Sequence, residues 1–174
     1  MSNHKHQYPA FLRGRCTETT YRKWLHRRAM AHVRRDRKRR VMSATVAAYK
    51  AAIHAAVEES RGLDAYTGQP LRWRLLSRYD NAASKVGGTR YKQRFGDLPT
   101  VDHVGGAGAR AQFKICAWRT NDAKHDLLYK DFIALCRAVV AHSSRRGSQT
   151  LRVRADTDSK RTRARLAAAI RRRG

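Results

Sequence analysis

A carboxylate and an imidazole stand side by side at Asp102-His103, and Asn121, Lys124 and His125 follow beyond a Gly-rich gap. Hydrolysis of a phosphodiester needs a nucleophilic water, a Lewis acid on the phosphate and relief of charge at the leaving oxygen. His103 suits the general base, because an unperturbed imidazole titrates near neutral pH. Asp102 offers a hard oxygen to Mg²⁺ or a related divalent ion, which takes one or two protein oxygens and completes its shell with water and phosphate. Neighbouring residues on an ideal strand face opposite ways. The two therefore share one site only where the strand ends or bulges, and Gly105-Gly106 supplies a place for that.

The elements that must position these groups can be read from periodicity. Pro99 starts a strand over Thr100–Val104, and a flexible loop carrying Arg110 follows. Phe113–Trp118 alternates as a second strand, with Phe113, Ile115 and Ala117 on its apolar side. Thr120 has the chemistry of an N-cap. After it Asn121, His125, Leu128, Phe132, Leu135, Cys136 and Val139 recur at steps of three and four. That stripe predicts one helix whose first turns aim Asn121 and His125 at the two strands, with oriented backbone dipoles favouring an anion at its start.

Upstream, Tyr21, Trp24, Leu25, Ala29, His32 and Val33 predict a helix from Thr17 to about Arg40. A second helix, capped by Ser43, runs to Ser60 with Gly62 as its stop. His54 beside its stripe reads as a packed or surface histidine. A tight turn follows over residues 64–73. Residues 77–97 read as irregular, with Tyr91 and Phe95 set among basic residues in a manner suited to a nucleic-acid backbone.

The charge is +26, and it is uneven. Residues 1–40 hold 13 Lys and Arg against 2 acids, and residues 143–174 hold 11 against 2; residues 41–142 hold 15 against 9. The excess therefore flanks a more balanced middle. Such a balance points to a polyanion, and Arg27, Arg28, Arg34, Arg35, Lys38, Arg39, Arg110 and Lys124 are the expected phosphate contacts. No apolar run approaches the roughly 20 residues of a spanning helix, and no signal-type apolar segment follows Met1. Cytoplasmic residence and no membrane partner are the expectations. Cys16, Cys116 and Cys136 are scattered and form no C-x-x-C pair, which favours reduced thiols over disulfides or structural zinc. The organisation expected is a basic helical region over 1–61, a core over 62–142 and a basic tail over 143–174.

Strand, loop, strand and helix, with Val101-Asp102-His103-Val104 on the first strand and Thr120-Asn121-Asp122-Ala123-Lys124 opening the helix, resembles the HNH (ββα-metal, His-Me finger) endonuclease family over roughly residues 62–130. Tyr66-Thr67-Gly68-Gln69-Pro70-Leu71 is similar to the turn that precedes the motif. The resemblance implies an α+β fold with a small ββα-metal core, preceded by helices and flanked by basic extensions. It also implies metal-dependent hydrolysis of DNA, with Mg²⁺ or Mn²⁺ as cofactor. Asn121 would be a catalytic residue and the second metal ligand. His125 would be a third ligand or a group near the phosphate or leaving oxygen. The Asn that orients the base in many members has Gln112 as its nearest counterpart here. Asp64 and Thr67 stand where a zinc-binding Cys pair is common, and of a later pair Cys116 alone could remain, which argues against structural zinc. Two rival classes share the same charge: a non-catalytic, architectural nucleic-acid-binding protein, and an RNA-directed nuclease or ribosome-associated protein.

Overall fold

The computed structural model describes residues 6–104 and 112–145. Helix α1 spans Glu18–Lys38, and Thr17 caps it by accepting the Thr20 N–H at 3.2 Å. Its buried stripe, Tyr21, Trp24, Leu25, Ala29, His32 and Val33, is the predicted one with Asp36 added. Arg35, Arg37 and Lys38 lie in its last turn, where the helix dipole favours cations. Helix α2 spans Val46–Ser60 and is capped by Thr45, two residues later than expected, through the Ala48 N–H at 3.2 Å. Tyr49, Ile53, Ala56 and Val57 form its buried side. The chain leaves α2 through Arg61 and Gly62, both at positive φ. A Cβ at Gly62 would come within 3.2 Å of the Phe11 ring, so glycine fits here for space as well as for backbone.

Residues 77–97 are more ordered than their composition suggests. Helix α3 covers Asn81–Arg94, capped by Asp80 through the Ala83 N–H at 2.7 Å and kinked at Gly88. The Gly87-Gly88 pair reads as a helix breaker, but it produces only the kink. Tyr91 and Phe95 stack at 4.5 Å and are buried in the core, which corrects the expectation that they face a nucleic-acid backbone.

Strands β1 (Pro99–His103) and β2 (Phe113–Ala117) pair antiparallel, with Thr100 opposite Cys116, Asp102 opposite Lys114 and His103 opposite Phe113. The resulting protein is α+β with a two-stranded sheet. One sheet face packs on α1 and α2 through Phe113, whose ring lies 5.1 Å from His32 and 5.3 Å from Tyr49. The core continues through Trp24 and Trp73, which meet edge to face at 5.6 Å and are almost fully buried. Aromatic side chains of this size supply much of the area that a small core needs.

Helix α4 is short, Trp118–Lys124, and begins directly after β2. Its end is set by His125 at φ 51°, and residues 129–145 form a separate helix, α5. The long stripe from Asn121 to Val139 is therefore broken. Leu128, Leu135 and Val139 are half exposed or more, where continuous burial was expected. The chain divides into two compact units, Met1–Asp126 and Leu127–Gly174. The expected basic tail beyond residue 145, and Arg110, lie outside the described residues. No helix among the described residues is long and apolar enough to cross a membrane.

Candidate functional site

Strand β1 stays regular through His103, and the pleat therefore sends Asp102 and His103 to opposite faces. No bulge intervenes to reunite them. The expectation of a shared Asp102–His103 site is corrected for this arrangement: the two residues seed two different clusters.

On the α4 side, Asp102 is 7% exposed and Lys124 5%. Lys124 Nζ stands 3.2 Å from Asp102 Oδ2, and the Tyr66 hydroxyl donates to the same oxygen. Burial, then the Asp102 carboxylate, pushes the Tyr66 phenol far above its ordinary range and keeps it a donor. Lys124, expected on a phosphate, is turned inward onto Asp102. Two charges leaving water together hold only when each is compensated, and here each compensates the other.

The turn beneath this pair is fixed by one carboxylate. Asp64 Oδ1 accepts the N–H groups of Tyr66 at 2.8 Å and Thr67 at 3.1 Å; Oδ2 accepts the Ala117 N–H at 2.8 Å and the Thr120 hydroxyl at 2.7 Å. Thr120 is consequently not the N-cap of α4 but a clamp inside it. The first amides of α4 are also taken, Trp118 N–H by Leu98 O and Arg119 N–H by Gly96 O, both at 2.9 Å. The expectation of an anion-seeking start to this helix is corrected for these amides, which are already bonded.

On the other face, His103 Nδ1 lies 3.6 Å from Asp36 Oδ2, and Tyr49 donates its hydroxyl to that same oxygen at 2.6 Å. The separation exceeds a direct hydrogen bond, so the carboxylate acts on the ring mainly through charge. It favours the proton on Nδ1 and leaves Nε2, which is buried with no hydrogen-bond partner among the described residues. Burial lowers the His103 pKa, with Asp36 opposing and Arg35 and Arg39 adding to the fall. His32, beside it at 6.1 Å between ring centres, is pushed down to about 3 by burial, with Arg35 and His103 assisting. Asp36 was not singled out in the sequence; its place at helical spacing in the α1 stripe, next to His32 and Val33, is the signal that could have found it. Gln112, the counterpart suggested for that orienting role, is exposed.

Asn121 lies elsewhere again. With Thr100, Trp118 and Tyr79 it lines a cavity of about 360 Å³ that Arg27 and Arg28 border from α1. His125 is 80% exposed, and its Nδ1 lies 2.9 Å from Asp126. Arg34, Arg35 and Lys38 are exposed on α1, and Arg39 is exposed at its C-terminal cap. His54 is held by the Tyr21 hydroxyl at 2.7 Å, as a packed histidine should be.

The donor types present suit a hard divalent ion, with Asp102 as the carboxylate and Asn121 as the carboxamide. Asp102 presents them with one oxygen already engaged by Lys124 and Tyr66. Compared with protein-family models, curated proteins and solved structures, the chain matches none.

Proposed function

We propose that this chain is an HNH-type, metal-dependent endonuclease that hydrolyses DNA phosphodiester bonds, cytoplasmic and associated with nucleic acid. The observation that carries the reading is the β1–β2–α4 unit, in which Asp102 faces α4 and pairs with its Lys124 while α4 follows β2 without a loop. In this reading Asp102, through its second oxygen, and Asn121, from the cavity it lines, would have to converge to hold Mg²⁺ or Mn²⁺, which would polarise the phosphate. His103 is the base of this reading: Asp36 stands on its Nδ1 side and leaves Nε2 for the proton. Because Nε2 is buried on the sheet face opposite Asp102, the reading requires β1 to rearrange at His103 to bring that nitrogen to the attacking water. The lowered pKa keeps that nitrogen unprotonated at neutral pH. Lys124, released from Asp102 when the carboxylate is otherwise neutralised, is available to a phosphate oxygen. The exposed Arg34, Arg35, Lys38 and Arg39 draw the duplex in without reading its sequence.

A second reading has its own observation. Asp102 and His103 face apart, and Asp102 is closed by Lys124 and Tyr66. That arrangement favours a protein that binds nucleic acid without cutting it.

Plasmid nicking with Mg²⁺, Mn²⁺ or EDTA, alongside binding to the same DNA, separates the two. The nuclease reading expects metal-dependent nicking that His103→Ala abolishes while binding persists. Tight binding without nicking in either metal selects the architectural reading, and preference for structured RNA over plasmid selects the RNA-directed one.

A further inference from the structure

We propose that the cavity between α1 and the β1–α4 junction holds one phosphate group of a nucleic-acid strand, with Arg28 as its anchoring guanidinium and Arg27 at its mouth. The inference rests on the reading of the chain as a nucleic-acid-binding protein, and not on its being a nuclease.

Among the described residues the lining contains two arginines and no carboxylate. Around them stand groups able to donate to phosphate oxygens: the Thr100 hydroxyl, the Asn81 and Asn121 amides and the Tyr79 hydroxyl. Among the described residues Arg28 has no ion pair and no hydrogen bond, whereas Arg22, Arg35, Arg37 and Arg119 each have at least one polar partner. Burial depresses its pKa, and the like charge of Arg27 adds to the fall. A half-buried guanidinium with no anion beside it among the described residues is under-compensated, and a phosphate supplies the missing charge with two parallel N–H···O bonds.

Trp24 also lines the cavity, and its indole N–H is buried without an acceptor among the described residues. Tyr79 and Trp118, edge to face at 5.6 Å, form an aromatic wall beside which a sugar or base adjoining the phosphate can lie. The cavity also contains Asn121, so a strand anchored by Arg28 passes the residue proposed as a metal ligand.

The test uses the full chain in EDTA with a fluorescein-labelled DNA duplex of arbitrary sequence, titrated at several salt concentrations. Wild type is compared with Arg28→Gln, Arg28→Lys and the charge-matched control Lys50→Gln on α2, outside the cavity. Arg28→Gln is expected to weaken binding about tenfold more than Lys50→Gln and to lower the salt slope by about 0.9, one phosphate's worth. Arg28→Lys should recover only part, since the fork is lost. Equal affinities for Arg28→Gln and Lys50→Gln overturn the proposal.

Should Arg28→Gln fold poorly, wild-type tryptophan fluorescence titrated with inorganic phosphate against chloride at matched ionic strength decides. A saturable change with phosphate supports the cavity, and no change overturns it. A free-phosphate response without any Arg28 effect on duplex binding assigns the cavity to a small anion and rejects the strand. Because metal is absent throughout, an Arg28 effect in a protein that never nicks DNA keeps the cavity and removes the nuclease. Metal-dependent nicking with no Arg28 effect on binding does the reverse.

Discussion

The Asp36 carboxylate stands 3.6 Å from Nδ1 of His103, so the imidazole at the end of β1 meets a charge carried by α1. Tyr49 of α2 donates to the same carboxylate at 2.6 Å, and the three elements therefore meet at one buried charge. Asp36 is 2% exposed. Its replacement leaves the Tyr49 hydroxyl buried without its acceptor, a position in which hydroxyls cost free energy.

Asp36→Ala should therefore destabilise the fold by about 2–4 kcal/mol. Asp36→Asn, whose amide oxygen still accepts from Tyr49, should cost clearly less. Urea unfolding with an unchanged m-value measures both. A loss below about 0.5 kcal/mol for Asp36→Ala, the range of ordinary surface changes, would remove this cluster from the account of stability.

Stability should fall on mild acidification. His32 takes up its proton at about pH 3 in the folded chain against an ordinary value of 6.5, and His103 is also lowered. Below about 6.5 the unfolded chain binds protons that the folded chain refuses, so stability is full above that value and is lost as the pH drops toward 3. For one such histidine the slope approaches about 1.4 kcal/mol per pH unit. Thermal midpoints between pH 7.5 and 4.5 should decline, and His32→Phe, which keeps a ring against Phe113, should flatten the decline. An identical pH profile in the variant counts against His32 as its source.

The Asp64 clamp should be the most sensitive point of the turn. Asp64→Ala strands the buried Ala117 N–H and Thr120 hydroxyl together with two turn amides, and a cost of about 3–5 kcal/mol is expected. Hydrogen exchange at the Tyr66, Thr67 and Ala117 amides should accelerate more than at α2. Uniform acceleration across the chain would mean that Asp64 supports the whole fold and not this junction in particular.

Lys124 and Asp102 should show strong coupling. Lys124→Met leaves a buried carboxylate without its cation, and a loss of about 3 kcal/mol follows. Combining it with Asp102→Leu should recover most of that loss, as an apolar pair of similar volume commonly does. Additive losses in the double-mutant cycle would show that the pair is not the unit that the 3.2 Å contact describes.

Local patterning carried α1 and α2, because each buries a face whose period is visible in a single segment, while the two strands were placed by Pro99 and by the short apolar runs. Thr17, Tyr21, Trp24 and Leu25 stand in the roles that their spacing suggested, whereas β2 is buried on both faces, with Cys116 as well as Phe113, Ile115 and Ala117 inside, and Trp118 opens α4 instead of ending the strand. Helix α3 was hidden because Gly87-Gly88 outweighed the Asp80 cap, and the burial of Tyr91 and Phe95 comes from packing that no local pattern encodes. The end of α4 at His125 was equally hidden: the apolar stripe continues in phase across a residue whose backbone turns away from the helix.

The sequence by itself determined which chemistry-bearing residues lie near one another along the chain: Asp102 with His103, and Asn121 with Lys124 and His125. It also determined the charge of +26. Only the tertiary structure decided how those residues are partnered. The pleat of a regular strand separates Asp102 from His103, placing one on Lys124 and the other on Asp36. Asn121 goes to a cavity bordered by arginines of a helix far earlier in the chain. Spacing along a chain is a local property, whereas the charge that a buried group meets depends on which distant elements pack against it.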